Sequence, residues 1–196
     1  MRMPPLPAAT LLAPEKAATR VLIDRPADRP YSAITISPYD PAWPEAYARE
    51  EARIRDALGP RALAIEHVGS TAVPRLAAKD RIDIDLIVAD PTDEDAYVPA
   101  LARVGYTLRS RDPDWYEHRC LWTEGHTVNL HIFGPDCDEY LRHVILRDWL
   151  RTHPDDCKRY EAAKFASAEE NPWSMAAYVS GKAEIVVEIL RRAGLR

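Results

Sequence analysis

Several absences narrow the classes of protein that this sequence can encode. No apolar run approaches the roughly 18 residues that a membrane span requires, and the N-terminus lacks the apolar region of a secretory signal. The three cysteines, Cys120, Cys137 and Cys157, show no zinc-site spacing, which favours reduced thiols and a cytoplasmic location. The net charge of −5 gives no general attraction to nucleic acid. We therefore expect neither a membrane nor a nucleic acid as a partner.

The length and composition of the chain indicate how many domains it contains. The 196 residues suffice for one domain with a sizeable core and a tail. Residues 1–32 are rich in proline, alanine and arginine, and we predict that they form a flexible extension. Residues 33–196 are predicted to fold in the order β-α-β-β-α-β-β-β, followed by helices. This order predicts an α+β fold, with helices flanking a mixed β-sheet and a helical C-terminal half.

Hydrophobic periodicity and turn residues define the expected elements. The expected strands are 33–36, 63–68, 82–88, 106–108, 115–122 and 127–133. The expected helices are one from Trp43 to about Gly59, then 73–78, 91–104, 140–152, 155–168 and 174–193.

The most informative segment is a Gly69-Ser70 turn followed by the apolar strand that carries Asp83 and Asp85. Because side chains alternate along a strand, both carboxylates lie on one face, where they repel each other. A bound cation would remove that penalty, and oxygen ligands suit Mg²⁺. The Gly-Ser turn can present backbone N–H groups to phosphate. The combination indicates a nucleoside-triphosphate site, and the alternative is a solvated or salt-bridged acidic pair.

The strand 127–133 carries a second polar face. Alternation places Asn129 and His131 together, with Val128, Leu130 and Ile132 on the opposite side. If this strand lies close to the one with Asp83, His131 can act as a metal ligand or a general base, and Asn129 can hold water or phosphate. The alternative is an exposed face of the sheet with a hydrogen-bonded histidine.

Cationic residues provide further candidates. Arg119, in the strand 115–122, can bind a triphosphate through its paired guanidinium donors, although the sequence alone favours the ordinary alternative, a cross-strand ion pair. Arg147 and Arg151 lie four residues apart, a spacing that also suits ion pairs on one helix. Lys164 and Lys182 are isolated in the sequence, and we expect both to be solvated.

Several motifs together resemble the GrpB family. They are Tyr39-Asp40-Pro41-Ala42-Trp43-Pro44, His67-Val68-Gly69-Ser70-Thr71-Ala72-Val73-Pro74, Leu76-Ala77-Ala78-Lys79, Ile82-Asp83-Ile84-Asp85, Asn129-Leu130-His131-Ile132-Phe133 and the run from Leu146 to Pro154, followed by Tyr160 and Lys164. The resemblance covers roughly residues 34–190. It implies a nucleotidyltransferase-like fold of the DNA-polymerase-β superfamily, whose members bind the triphosphate with a Gly-Ser turn and Mg²⁺ with Asp-x-Asp. Similar domains occur fused to dephospho-coenzyme A kinase, where a folding-helper role has been suggested.

The sequence also departs from the family pattern. Arg75 stands where the family usually has glycine, and Asp80 where it usually has proline. Active members of the superfamily usually place a third carboxylate on a later strand, where this chain offers Asn129 and His131. These departures favour a non-catalytic binding or chaperone-like module, whereas the intact Gly-Ser turn and Asp-x-Asp pair favour an enzyme.

The leading hypothesis is a Mg²⁺-dependent enzyme that transfers a nucleotidyl group from ATP, or another nucleoside triphosphate, to a small-molecule acceptor. Asp83 and Asp85 would hold the metal, and Gly69 and Ser70 the phosphates. Thr71, Arg75 and Lys79 complete the candidate nucleotide-binding set, and the candidate catalytic residues are His131, Arg119 and Asn129. ATP-dependent ligation is the related alternative. The sequence does not indicate the acceptor or the oligomeric state.

Overall fold

A computed structural model describes residues 20–23 and 33–195 of the chain. The strands are β1 Val21–Leu22, β2 Ala64–Val68, β3 Ile82–Ile87, β4 Tyr106–Asp112, β5 His118–Thr123 and β6 Val128–Phe133. The α-helices are α1 Trp43–Leu58, α2 Val98–Arg103, α3 Asp138–Thr152, α4 Pro154–Glu170, α5 Met175–Gly181 and α6 Ala183–Arg192. Short 3₁₀ turns cover Gly59–Arg61, Ser70–Ala72, Glu94–Ala96 and Glu124–His126.

The strands form one mixed sheet in the order β1-β4-β5-β6-β3-β2. β3 and β6 pair in parallel, and the other neighbours pair antiparallel. This arrangement confirms the predicted α+β fold with flanking helices. Strands β3 and β6 are central, and their alternation gives each one apolar and one polar face.

The apolar face of the sheet packs against α1 and α2. Ile84 and Leu130 from the central strands join Ile54 of α1 and Leu101 of α2 in one cluster, and each of the four is fully buried. Burial of this kind contributes about 1.5–3 kcal/mol for each large aliphatic side chain. A second cluster joins Leu76, which follows the Gly69-Ser70 turn, to Leu150, Tyr160 and Ile189 of the C-terminal helices. The helical half is thereby fixed against the turn.

The structure corrects several expected elements. Residues 33–36 are not a strand, and the only pairing in that region is an isolated bridge from Ser37 to Ala78. The first strand is instead Val21–Leu22, which pairs with β4 at the edge of the sheet. Part of the predicted flexible extension is therefore docked. The remainder of that prediction concerns residues 1–19 and 24–32, which lie outside the described residues.

Three expected helices also differ. The segment 73–78 is not helical, and a 3₁₀ turn precedes it at Ser70–Ala72. The segment 91–104 is a 3₁₀ turn followed by α2, because Pro99 is favoured in the first turn of a helix rather than in its interior. The last helix is interrupted at Lys182, next to Gly181, where a Cβ would clash with the hydroxyl of Ser167 on α4. In the described residues, no helix combines the length and apolar character needed to cross a membrane.

Candidate functional site

The polar faces of β3 and β6 form one surface. In the parallel register, Asp83 lies opposite Asn129, and Asp85 lies opposite His131. Asn129 donates a hydrogen bond from Nδ2 to Oδ1 of Asp83 over 2.7 Å, and Nε2 of His131 lies 4.0 Å from the same oxygen. The four residues that alternation grouped by face are thus brought together by the pairing of two strands that are distant in the sequence.

The Gly69-Ser70 turn follows β2 and lies directly against Asp83. Gly69 has φ +70°, and a Cβ at this position would lie 2.6 Å from Oδ2 of Asp83. Only glycine therefore allows both the backbone conformation and the close approach of the carboxylate. The turn is also held from the helical half, because the guanidinium of Arg151 donates from Nε and one terminal nitrogen to the carbonyl of Ala72.

Among the residues that the structure describes, each aspartate keeps one carboxylate oxygen without a hydrogen bond. Asp85 is fully buried, and its Oδ2 contacts Nδ1 of His143 at 2.8 Å, whereas its Oδ1 has no partner in the described residues. Oδ1 of Asp83 accepts from Asn129, and the hydrogen bonds of the described residues leave Oδ2 of Asp83 unused. A buried carboxylate oxygen without a partner is costly. Asp83 is only partly buried, so this cost falls on Oδ1 of Asp85, which a divalent cation would satisfy.

His143, on α3, compensates part of the acidic charge. Burial opposes a charge on its imidazole, but the contact with Asp85 outweighs it and raises the pKa of His143 to about 10. Nε2 of His143 also lies 3.3 Å from Oε1 of Glu139. At neutral pH the histidine is therefore an imidazolium that lies against the carboxylate of Asp85. No sequence pattern assigned His143 to the site, since its position on a helix rich in charged residues suits ordinary ion pairing.

A cationic cleft opens beside the turn. It has a volume of about 80 Å³ and is lined by Gly69, Ser70, Thr71, Ala78, Lys79, Arg81, Asp83, Tyr160, Tyr178 and Lys182. The ammonium of Lys182 lies 5.7 Å from the ring centre of Tyr160 and 5.1 Å from that of Tyr178. The ammonium of Lys79 lies 5.3 Å from the ring centre of Tyr178. The tyrosine rings therefore hold both lysines by cation–π contacts.

Lys164 contacts a residue of this cleft, with its ammonium 5.2 Å from the ring centre of Tyr160. It is only 1% exposed, and it donates a hydrogen bond to the carbonyl of Ala77. Burial, and then the nearby charge of Lys182, lower the pKa of Lys164 to about 7. Burial likewise lowers the pKa of Lys79 to about 8. In the described part of the chain, none of the three lysines forms a salt bridge. The expectation that Lys164 is solvated is wrong, whereas Lys182 is partly exposed at the cleft.

Arg119 does not reach the site. It pairs with Ile132 across β5 and β6, on the face opposite to Asp83, and its guanidinium binds Glu94 at 2.7 Å. The cross-strand position thus directs it to the helical layer at Glu94, and the structure contradicts its placement beside a triphosphate. Arg147 also forms ion pairs, with Asp148 and with Glu66.

The two remaining candidates in the turn region have different surroundings. Arg75 is exposed and has φ +67°, a conformation that favours glycine. Thr71 lines the cleft but uses its hydroxyl internally, contacting Nε2 of His67 at 3.0 Å and donating to the carbonyl of Arg81 at 3.3 Å. Its side chain therefore stabilises the turn.

A larger hollow of about 510 Å³ lies elsewhere, at the junction of α3 and α4. Its lining includes Trp149, His153, Asp156 and Arg192, and none of the candidate site residues. Asp156 is already bound by the indole N–H of Trp149 and by Arg192. Size alone would favour this hollow, but the lysines that form no salt bridge among the described residues lie at the smaller cleft.

Fold and site together define a mixed α+β domain whose central strands carry an acidic face next to a cationic cleft. The chain belongs to the GrpB family, whose model, described as GrpB protein, matches residues 33–192. It is 46% identical over 166 residues to a UPF0157 protein of Halalkalibacterium halodurans, covering 84% of this chain and 85% of that protein.

Two further comparisons extend this relationship. The crystal structure of the conserved protein GrpB from Enterococcus faecalis is 30% identical and has a TM-score of 0.69, covering 81% of this chain and 98% of that one. A dephospho-CoA kinase of Mycolicibacterium paratuberculosis is 31% identical over 186 residues, covering 82% of this chain but only 46% of the kinase. The docked residues 20–23 lie outside the family match.

Proposed function

We propose that this protein is a Mg²⁺-dependent enzyme that transfers a nucleotidyl group from ATP, or another nucleoside triphosphate, to a small-molecule acceptor. The observation that carries the proposal is the separation of charge within one site. Lys79 and Lys182 line the cleft together with Asp83, and Lys164 contacts the ring of Tyr160, which also lines it. Among the described residues, none of these three lysines forms a salt bridge, and the buried Asp85 follows two residues after Asp83 on the same strand. A polyphosphate that carries a metal ion would complement both halves.

The cleft matches the phosphates rather than the whole nucleotide. Sites for drug-sized ligands usually have volumes of about 300–1,000 Å³, whereas this cleft has a volume of about 80 Å³. Phosphate oxygens would contact the backbone of Gly69 and Ser70 on one side and the ammonium groups of Lys79 and Lys182 on the other. The base and ribose would then lie outside the cleft.

The donor set suits one metal ion with open coordination positions. In the described residues, no group of three or more histidine, cysteine, aspartate or glutamate side chains could hold a metal. Oδ2 of Asp83 and Oδ1 of Asp85 would provide two ligands, and Mg²⁺ usually retains water and takes phosphate oxygens at its other positions. When bound, the ion would polarise the phosphoryl group.

Side chains of the protein would carry out the remaining steps of the transfer. The acceptor attacks the α-phosphorus, a new bond to phosphorus forms, and the bond to the pyrophosphate oxygen breaks. His131 takes the proton that the acceptor loses, and the lysines stabilise the charge on the departing pyrophosphate. Asn129 holds Asp83 in place through its 2.7 Å hydrogen bond.

Calorimetric titration of the full chain with ATP, GTP, CTP and UTP, with and without Mg²⁺, tests this proposal. Asp83→Asn keeps the size of the side chain but removes its charge, and it should abolish Mg²⁺-dependent binding. Asp56→Asn, on the exposed surface of α1, is the matched control and should bind as the wild type does. Equal binding by the wild type and Asp83→Asn would refute the metal assignment.

One observation favours a second candidate, a non-catalytic binding or chaperone-like module. The described residues place no third acidic ligand beside Asp83 and Asp85, and this domain is similar to part of a protein named dephospho-CoA kinase. Absence of binding by all four nucleotides would support the module. Within the enzymatic proposal, release of phosphate rather than pyrophosphate would indicate ATP-dependent ligation.

A further inference from the structure

A row of hydrogen-bonded side chains leads from the sheet edge to the proposed base. Nδ1 of His118 lies 2.8 Å from Oδ2 of Asp112, and Nε2 of His118 lies 2.9 Å from Nδ1 of His131. Asp112 and His118 are 5% and 1% exposed, so water competes little for these contacts. Nε2, the other ring nitrogen of His131, lies 4.0 Å from Oδ1 of Asp83.

When both imidazoles are neutral, the chemistry of these groups fixes the direction of the hydrogen bonds. An ionised carboxylate only accepts, so Nδ1 of His118 must donate to Asp112. A neutral imidazole has one donor and one acceptor nitrogen, so Nε2 of His118 accepts and Nδ1 of His131 donates. Neutral His131 then carries its proton on Nδ1, and Nε2, the nitrogen nearest Asp83, is the one able to receive a proton.

The surrounding structure holds this row in place. The turn between β4 and β5 has two consecutive residues, Tyr116 and Glu117, with φ of +56° and +50°. Such a conformation costs about 1–2 kcal/mol for each non-glycine residue. The ring of Trp115 meets His118 edge-on, with 4.8 Å between ring centres. Strained backbone that persists in a fold commonly marks a functional position.

The N-terminal segment completes the arrangement. Arg20 contacts both carboxylate oxygens of Asp112, with Nε 2.7 Å from Oδ1 and a terminal nitrogen 3.2 Å from Oδ2. The next residues, Val21 and Leu22, pair with Arg111 and Ser110 of β4. Arg20 and the edge strand thus limit the movement of the Asp112 carboxylate. Both precede the residues that the GrpB model matches.

We propose that Asp112 and His118 are positioning residues that fix the tautomer of His131, and that Arg20 restricts the carboxylate of Asp112. The role of His131 as the base that accepts the acceptor's proton rests on the proposed function. The assignment of the tautomer of His131 does not depend on the proposed function. When His131 takes a proton at Nε2, its Nδ1–H continues to donate to His118, and no second proton needs to move.

The test is the tautomeric state of His131 in the full chain labelled with ¹⁵N-histidine, read from long-range ¹H–¹⁵N correlations at a pH where the imidazole is neutral. The wild type should show an unprotonated Nε2. Asp112→Asn keeps the shape but can donate from its amide to Nδ1 of His118, which reverses both hydrogen bonds and moves the proton of His131 to Nε2. Asp56→Asn should leave the spectrum unchanged.

A second variant covers the case in which Asp112→Asn does not fold. His118→Phe keeps a ring between Trp115 and Phe133 but removes the acceptor, and His131 should lose its single tautomer. An Nε2–H tautomer in the wild type, or an unchanged His131 spectrum in the folded variants, would overturn the proposal. Because this experiment contains no nucleotide, failure of ATP binding cannot be mistaken for failure of the positioning role.

Kinetics provide a further readout where transfer activity is present. Asp112→Asn should lower kcat by about 10²-fold or more, the scale of general-base catalysis, with KM nearly unchanged. A change in KM alone would contradict positioning of the base.

Discussion

Replacement of Gly69 by alanine separates the cost of backbone strain from the cost of displacing Asp83. Gly69 has φ +70° and ψ −170°, a region used almost only by glycine, and other residues there cost about 1–3 kcal/mol. The new Cβ would also lie 2.6 Å from Oδ2 of Asp83, closer than real Cβ contacts allow. Asp83 cannot move away without stretching its 2.7 Å hydrogen bond from Asn129, worth about 1 kcal/mol.

The expected loss of unfolding free energy is therefore about 2–4 kcal/mol, with loss of Mg²⁺-dependent nucleotide binding. Gly59→Ala is the matched control, because Gly59 has φ +56° and ψ −129° but no atom within 4 Å of its added Cβ. It should lose about 1–3 kcal/mol from backbone strain and bind nucleotide normally once folded. Urea denaturation and calorimetric titration measure the two quantities. Equal stability and equal affinity in both variants would refute the proposed contact with Asp83.

Three further predictions concern charge and strain. Arg75→Gly should raise the unfolding free energy by about 1 kcal/mol, because it relieves a φ of +67°; unchanged or lower stability in urea denaturation would contradict this. Arg20→Gln should cost about 0.5–1 kcal/mol, since its side chain is 47% exposed, and exceed the cost of Arg49→Gln in the same assay. Lys164 and Lys79, with pKa values lowered to about 7 and about 8, lose their positive charge as pH rises. Pyrophosphate binding should therefore weaken by about tenfold between pH 6.5 and pH 9, and a constant affinity in calorimetry would exclude these lysines.

Alternation along single strands made part of the site predictable. Asp83 and Asp85, like Asn129 and His131, share a face because the side-chain period of a strand is two. The local constraint at Gly69 also has a sequence signal, since a glycine before serine at the end of an apolar strand indicates a tight turn. These features depend on neighbouring residues only.

The cationic half of the site has no comparable local signal. Lys164 and Lys182 lie on or beside different helices, and only the packing of those helices against the Gly69-Ser70 turn brings them together. Lys182 lines the cleft from the point where a helix expected to be continuous is interrupted. The expectation of Arg119 at the site is wrong for a related reason. Alternation shows which neighbours on β5 share a face with Arg119, but it does not show which face of the sheet carries the site.

The edge strand is a further example. Val21 and Leu22 form only two pairs with β4, too few for periodicity to detect, and their surroundings in the sequence indicate a loop. Their position depends on Asp112 of β4, which provides a buried partner for Arg20 more than 90 residues away. Long-range ion pairs of this kind are visible only in three dimensions.

A crystal structure of the full chain with Mn²⁺ and a non-hydrolysable ATP analogue tests the central claim most directly. Mn²⁺ takes the oxygen ligands of Mg²⁺ and can be located by its anomalous scattering. We expect an anomalous peak that places Mn²⁺ in contact with Oδ2 of Asp83 and Oδ1 of Asp85. The phosphates should lie between the Gly69-Ser70 turn and Lys182. A nucleotide bound instead in the hollow beside Trp149, or a metal that contacts neither aspartate, would contradict it.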